Sequence, residues 1–201
     1  MIQRAEFSRS CLMLIIGLIL VTSTGIVSAQ LKEQVKDAGK TLAKSIDVEP
    51  VDYEKLKGLL PKKLKKMERV ELFGERASGL GIKLSYARAE YRDRDQGSIK
   101  IKITDTGSIK KLASLAMTAW AAANIQRKSD DGYERTFDYN GHRAYTKYSR
   151  SKAAGEIKVL VANRFLVEVE GEDVAIKFVA AALKKINVKK LAKWREEGIN
   201  K

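Results

Sequence analysis

Cysteine, histidine and proline are nearly missing from this chain: one, one and two residues among 201. Each shortage closes off some chemistry. Cys11 lies in an N-terminal segment read below as a removable leader. The chain after it therefore has no sulfur for a disulfide, a thiol nucleophile or a thiolate metal site. An exported chain without crosslinks must be held by burial alone, and the 172 residues after position 29 suffice for one core. His142 has no second imidazole to join it at a metal. A Ser-His-Asp set would need a serine held against it, and the nearby Ser149 and Ser151 lie outside any GxSxG elbow. His142 follows an Asn140-Gly141 turn, where exposure is the default. P-loop and dinucleotide fingerprints are also missing. The expectation is no cofactor, no metal and no assembled catalytic set, so the chain leans away from being an enzyme.

Long hydrophobic runs are scarce as well. The first extends from Cys11 to about Val21, well short of the ~20 residues of a spanning helix. Arg4 and Arg9 precede it, and Val27 and Ala29 stand at the small-residue positions before Gln30. That layout predicts a signal peptide over 1–29, cleaved on export to the periplasm or cell surface, leaving no integral membrane segment. Removing it leaves 37 basic and 24 acidic residues, a net charge of +13. The second run, inside "SIKKLASLAMTAWAAANIQRK", holds about fifteen mostly apolar residues and is also too short to span a bilayer. It predicts a buried helix over 108–128.

What remains is patterned. Residues 30–49 place Leu31, Val35, Ala38, Leu42 and Ile46 on a narrow stripe beside Lys32, Lys36, Lys40 and Lys44, a basic amphipathic lead-in or linker. From Pro50 to 197 one α+β domain is expected: an antiparallel sheet of about six strands, with two main helices packed on one face. Asp52 is a candidate N-cap and Gly58 and Pro61 end a short helix. In "SIKIKIT", Ile99, Ile101 and Ile103 turn inward and Lys100 and Lys102 outward. Between Tyr86 and Ala87 the apolar parity switches, which predicts a β-bulge. Asn140-Gly141 and Asn163 predict tight hairpin turns. Asp173 is expected to cap a helix beginning at Val174, and Asn187 to restart a shorter one.

Three groups of residues are candidates for function. Lys62, Lys63, Lys65 and Lys66, with Lys100, Lys102 and Lys158 on the sheet, could bind an anionic envelope polymer, a lipid surface or a partner protein. Glu134, Glu156, Glu168 and Glu170 share those strands and would neutralise part of that charge. No RNA-recognition or helix-turn-helix signature points to specific nucleic acid. Trp120, Phe137, Tyr139 and Phe165 could line a pocket between helix 108–128 and the sheet. Asp130, Asp131 and Glu134 near His142 would serve a hydrolase if they converged in a cleft. The "DRDQGS" stretch at 93–98 fails as a calcium loop, because Gly97 and Thr104 stand where oxygen ligands are needed.

"VDYEKLKGLLP" (51–61), "SDDGYERT" (129–136), Gly141 and "VLVANRFLVEVEG" (159–171) resemble a group of uncharacterised exported bacterial proteins. In element order the chain is similar to PsbP/Mog1-like α+β sandwiches. The resemblance implies a fold and no catalytic or ligand residue. The functional expectation is a non-enzymatic envelope accessory protein that binds an anionic surface or a partner. The alternatives are a small-molecule or lipid-binding module and a hydrolase.

Overall fold

Alternating apolar and charged residues build most of this chain, and alternation makes sheet. The computed structural model describes residues 48–79, 82–93, 97–107 and 119–199, all within the unit Ser45–Lys201. Nine strands are present: β1 (Lys63–Leu64), β2 (Met67–Gly79), β3 (Ile82–Arg92), β4 (Ser98–Asp105), β5 (Gln126–Lys128), β6 (Gly132–Tyr139), β7 (His142–Ser149), β8 (Ala154–Val161) and β9 (Phe165–Glu172). They form one antiparallel sheet in the spatial order β1-β2-β3-β4-β9-β8-β7-β6-β5. Two meanders meet in the middle: β1 to β4 runs inward, β5 to β9 starts at the far edge, and β9 seals against β4.

Register follows from the period of two. Ile99, Ile101 and Ile103 oppose Gly171, Val169 and Val167, which in turn oppose Gly155, Ile157 and Val159. Ala87, Ala89 and Tyr91 continue that face on β3. Against it pack α1 (Tyr53–Lys57), α2 (Ile176–Leu183) and α3 (Val188–Lys193), which bury Leu56, Val179, Leu183 and Leu191. Each such side chain contributes about 1.5–3 kcal/mol when fully buried. Gly171 sets how closely α2 approaches, since a Cβ there would sit 2.5 Å from both Val174 and Val179. Asp52 caps α1 by accepting from the Glu54 amide at 2.7 Å, and Asn187 caps α3 from Lys190 at 2.9 Å. The turns at Asn140-Gly141 (φ 53 and 77) and Ala162-Asn163 (φ 52 and 55) are left-handed at both positions, as tight hairpins need.

One buried ion pair ties Glu49 and the segment Trp194–Glu197 to the central seam. Arg164 is 6 % exposed and Asp105 0 %. Their contact is bidentate, Nε to Oδ1 at 2.9 Å and Nη2 to Oδ2 at 2.7 Å. Arg164 Nη1 also donates to the carbonyls of Trp194, Arg195 and Glu197, and Nη2 to that of Glu49. Asp105 accepts from the amides of Val51 and Gly107, both at 2.8 Å. Beside it Glu49 N donates to Gly198 O, and Val48 bridges Ile199. Every charge in this cluster is met, the condition under which ions are tolerated inside a fold.

Four expectations are corrected. The sheet has nine strands instead of about six, and the helices are short satellites rather than two main layers, so the α+β description gives way to a mainly antiparallel β architecture. The reason is partly the length of β2, thirteen residues, and partly the fate of the 108–128 segment. Residues 108–118 lie outside the described residues; 119–122 are helical, but Gln126–Lys128 pair with β6 as an edge strand. No register shift separates Tyr86 from Ala87; the irregularity falls in β2 between Arg69 and Glu71, leaving Val70 57 % exposed. The parity switch has another cause: Tyr86 lies on the opposite face, against Phe73 (ring centroids 5.9 Å apart) and under the Lys102 ammonium. Asp173 adopts φ 54 and caps nothing; α2 begins after Ala175 without a side-chain cap.

Candidate functional site

An apolar-lined cleft lies where α2 passes the β1–β2 turn. Lys65 and Lys66 make that two-residue turn, with Lys65 at φ 46, and both line the cleft. On the other wall, α2 shows the sheet Val179, Ala182 and Leu183, while Phe178, Ala181 and Lys185 extend a second line at helical spacing. Between them is a cleft of about 510 Å³ whose floor includes Leu64, Met67, Ile99 and Val174. Phe178 stays 37 % exposed, with Lys65 Nζ 5.7 Å and Lys177 Nζ 5.4 Å from its ring centroid. Lys65, Lys66 and Lys185 stand on the rim with Asp93 and Asp173. An apolar trough with a charged mouth suits an amphiphile, since hydrocarbon gains from leaving water and a charged head does not.

The lysine candidates therefore separate. Lys65 and Lys66 border the cleft, whereas Lys63 pairs with Glu68 and Lys62 is exposed outside it. Lys100, Lys102 and Lys158 lie on the face of the sheet away from the core, in a grid of alternating sign. Lys100 opposes Glu170, and Glu168 stands between Lys102 and Lys158. Lys158 meets Glu156 at 2.9 Å and Glu168 at 3.9 Å, and Lys100 reaches Glu172 at 3.8 Å. Burial would lower the Lys158 pKa, but its hydrogen bond and charge contact with Glu156, with help from Glu168 and Glu170, raise it on balance. Burial raises the Glu168 carboxyl against the pull of Lys158 and Lys102. A carboxyl whose folded pKa is raised adds stability below its unfolded pKa and loses it as pH climbs through the folded value. Glu168→Gln is accordingly expected to raise the thermal midpoint at pH 7 and leave it unchanged at pH 3, measured by paired melts.

The four aromatic candidates do not share a pocket. Trp120 lies 5.8 Å from the Tyr145 ring, and Tyr145 projects from the face opposite the core. Phe165 is 0 % exposed inside the core, and Phe137 and Tyr139 pack at the core's margin. The acids are also apart from the histidine. His142 opposes Tyr139 at one end of the β6–β7 hairpin and Gly132 opposes Ser149 at the other, roughly 23 Å away at ~3.3 Å per residue. Asp131 is a turn organiser, accepting from Ser149 Oγ at 2.7 Å and Ser151 N at 2.8 Å, with its pKa lowered by the Ser149 hydrogen bond first. Asp130 gives its carbonyl to Arg150. Glu134 points to the outer face; burial works against its ionised form, but Tyr145, Arg127 and Lys147 outweigh it and lower the pKa.

Sequence reading missed Arg164 and Asp105 and the wall formed by Phe178, Ala181 and Lys185. The last was legible as a second stripe on α2. Among the described residues no cluster of His, Cys, Asp and Glu could hold a metal, and no helix is long and apolar enough to cross a membrane. Comparison with models of protein families, with curated proteins and with solved structures finds no match.

Proposed function

We propose that the protein is a non-enzymatic binding module of the exported bacterial envelope, and that its cleft holds the hydrocarbon chain of an amphiphile with an anionic head. The observation that carries this reading is the trough of about 510 Å³ between α2 and the Lys65-Lys66 turn, within the ~300–1,000 Å³ typical of ligand pockets. Phe178 supports it, because a large ring kept in water beside two ammonium groups costs free energy unless something covers it. The rim has three lysines and two aspartates, so its lysine side can balance a small anionic head. Export rests on the leader-like 1–29 segment, and the net charge of +13 after it favours approach to acidic lipid surfaces.

Ala181 offers a direct test, since it lines the cleft and lies outside the buried core. Ala181→Phe is expected to weaken binding of monododecyl phosphate by about tenfold, a change of ~1.4 kcal/mol, with little change in the melting midpoint. Dodecanol should bind the wild-type chain more weakly than the phosphate does. Titration calorimetry reads both. Absence of binding to either amphiphile, or equal binding by the variant, removes this function.

A further inference from the structure

A second cleft lies at the opposite edge of the sheet and has different chemistry. It measures about 450 Å³ and is lined by Gln126, Arg127, Lys128, Gly132, Tyr133, Arg135 and Arg150. Four cations and no carboxylate line it. We propose that this cleft binds phosphate groups, either on a soluble polyphosphate-like anion or as the headgroups of an acidic lipid surface.

The ladder explains how the charges come together. Gln126 opposes Arg135 and Lys128 opposes Tyr133, so Lys128 and Arg135 project to one side of the β5–β6 edge. Arg150 joins them from the turn after β7, held by its hydrogen bond from Nη1 to the Asp130 carbonyl at 2.6 Å. Arg127 completes the lining although its guanidinium also meets Glu134 at 3.2 Å. Lys128, Arg135 and Arg150, gathered with no carboxylate paired to them, repel one another, a cost that an arriving anion removes.

Arg127 shares its charge with Glu134 on the other face of the ladder, whereas the contacts around Lys128, Arg135 and Arg150 leave them without a carboxylate partner among the described residues. Arg135 lies over two rings, 5.7 Å from Tyr133 and 5.8 Å from Phe137, which fixes its plane and leaves its N–H fork without a carboxylate. The Lys128 ammonium makes no hydrogen bond or ion pair among the described residues. Asp130 and Asp131 stay in the turn before β6, where Ser149 and Ser151 occupy both carboxylate oxygens of Asp131. Next to Arg135, Thr146 keeps a buried hydroxyl without a hydrogen-bond partner among the described residues. Planar guanidinium forks match the paired oxygens of phosphate, while an ammonium on a flexible stem adds a movable point charge. One fork and one ammonium on a common face, with two further guanidinium groups at the border, fit more than one phosphate at a time. The amphiphile cleft plays no part in this inference, and either site can fail without the other.

The test uses the purified chain with tripolyphosphate in solution and, separately, with phosphatidylglycerol vesicles. Lys128→Glu removes a side chain that supports no other residue. Lys189→Glu, on the exposed side of α3, makes the same change in net charge elsewhere. Wild type is expected to bind at least one probe, with affinity falling as salt rises. Lys128→Glu should weaken that binding about tenfold and lower the log–log salt slope by about one, while Lys189→Glu should change affinity less than about twofold. Binding of tripolyphosphate identifies a soluble anion, and binding of vesicles alone identifies a lipid headgroup. Absence of binding to both probes in low salt, or equal losses in the two variants, overturns the site.

Discussion

Arg164→Met is expected to lower stability by about 3–5 kcal/mol in urea titrations, because it leaves the Asp105 carboxylate buried with no counter-charge. For a domain of this size that is a fall of roughly 10 °C in thermal midpoint. Arg164→Lys should recover little. One ammonium cannot span both carboxylate oxygens and also reach the carbonyls of Trp194, Arg195, Glu197 and Glu49. The double change Arg164→Met with Asp105→Leu removes both charges, so it should be more stable than Arg164→Met alone. It should not reach wild type, since the four carbonyls still lose their donor. Full recovery would show that the carbonyl contacts contribute nothing. A single variant as stable as wild type would show that the cluster does not hold Glu49 and the Trp194–Glu197 segment in place.

Phe165→Ala is expected to cost about 3–5 kcal/mol, the range for deleting a fully buried ring. The ring lies between Val161 and Asp105 in the ladder, under the Arg164 guanidinium at 5.1 Å. Trp120→Ala should cost clearly less, since that indole is only partly buried, against Tyr145 on the opposite face. The two melts separate a core residue from a peripheral one, although sequence alone placed both in one pocket. Equal losses would mean that the outer face contributes to stability as much as the core does.

That misplacement shows what the sequence made legible. Alternation marks which residues of a strand share a face, so the inward sets Ile99-Ile101-Ile103 and Ile157-Val159-Val161 were readable at once. It does not mark which of two faces a separate segment will cover. Trp120 and Phe137 therefore looked like neighbours when a sheet lies between them. The lysine cluster at 62–66 was visible as charge, but only the turn geometry sends Lys65 and Lys66 to the cleft and leaves Lys63 with Glu68. Arg164 looked like an ordinary turn residue after Asn163. Its partner is 59 positions away, a distance that no local pattern spans. The edge strand Gln126–Lys128 was hidden by an alanine-rich stretch of high helix propensity just before it.

The seam between β4 and β9 joins residues 60 to 74 positions apart, from Asp105–Phe165 to Ser98–Glu172. Neither meander can finish without the other, so folding waits on β9, the strand of the sheet that is synthesised last. Until then the isoleucine row of β4 has an open edge, the kind of template on which partly made chains aggregate. Pairings this far apart in sequence are the kind that loop-closure entropy makes slow to form.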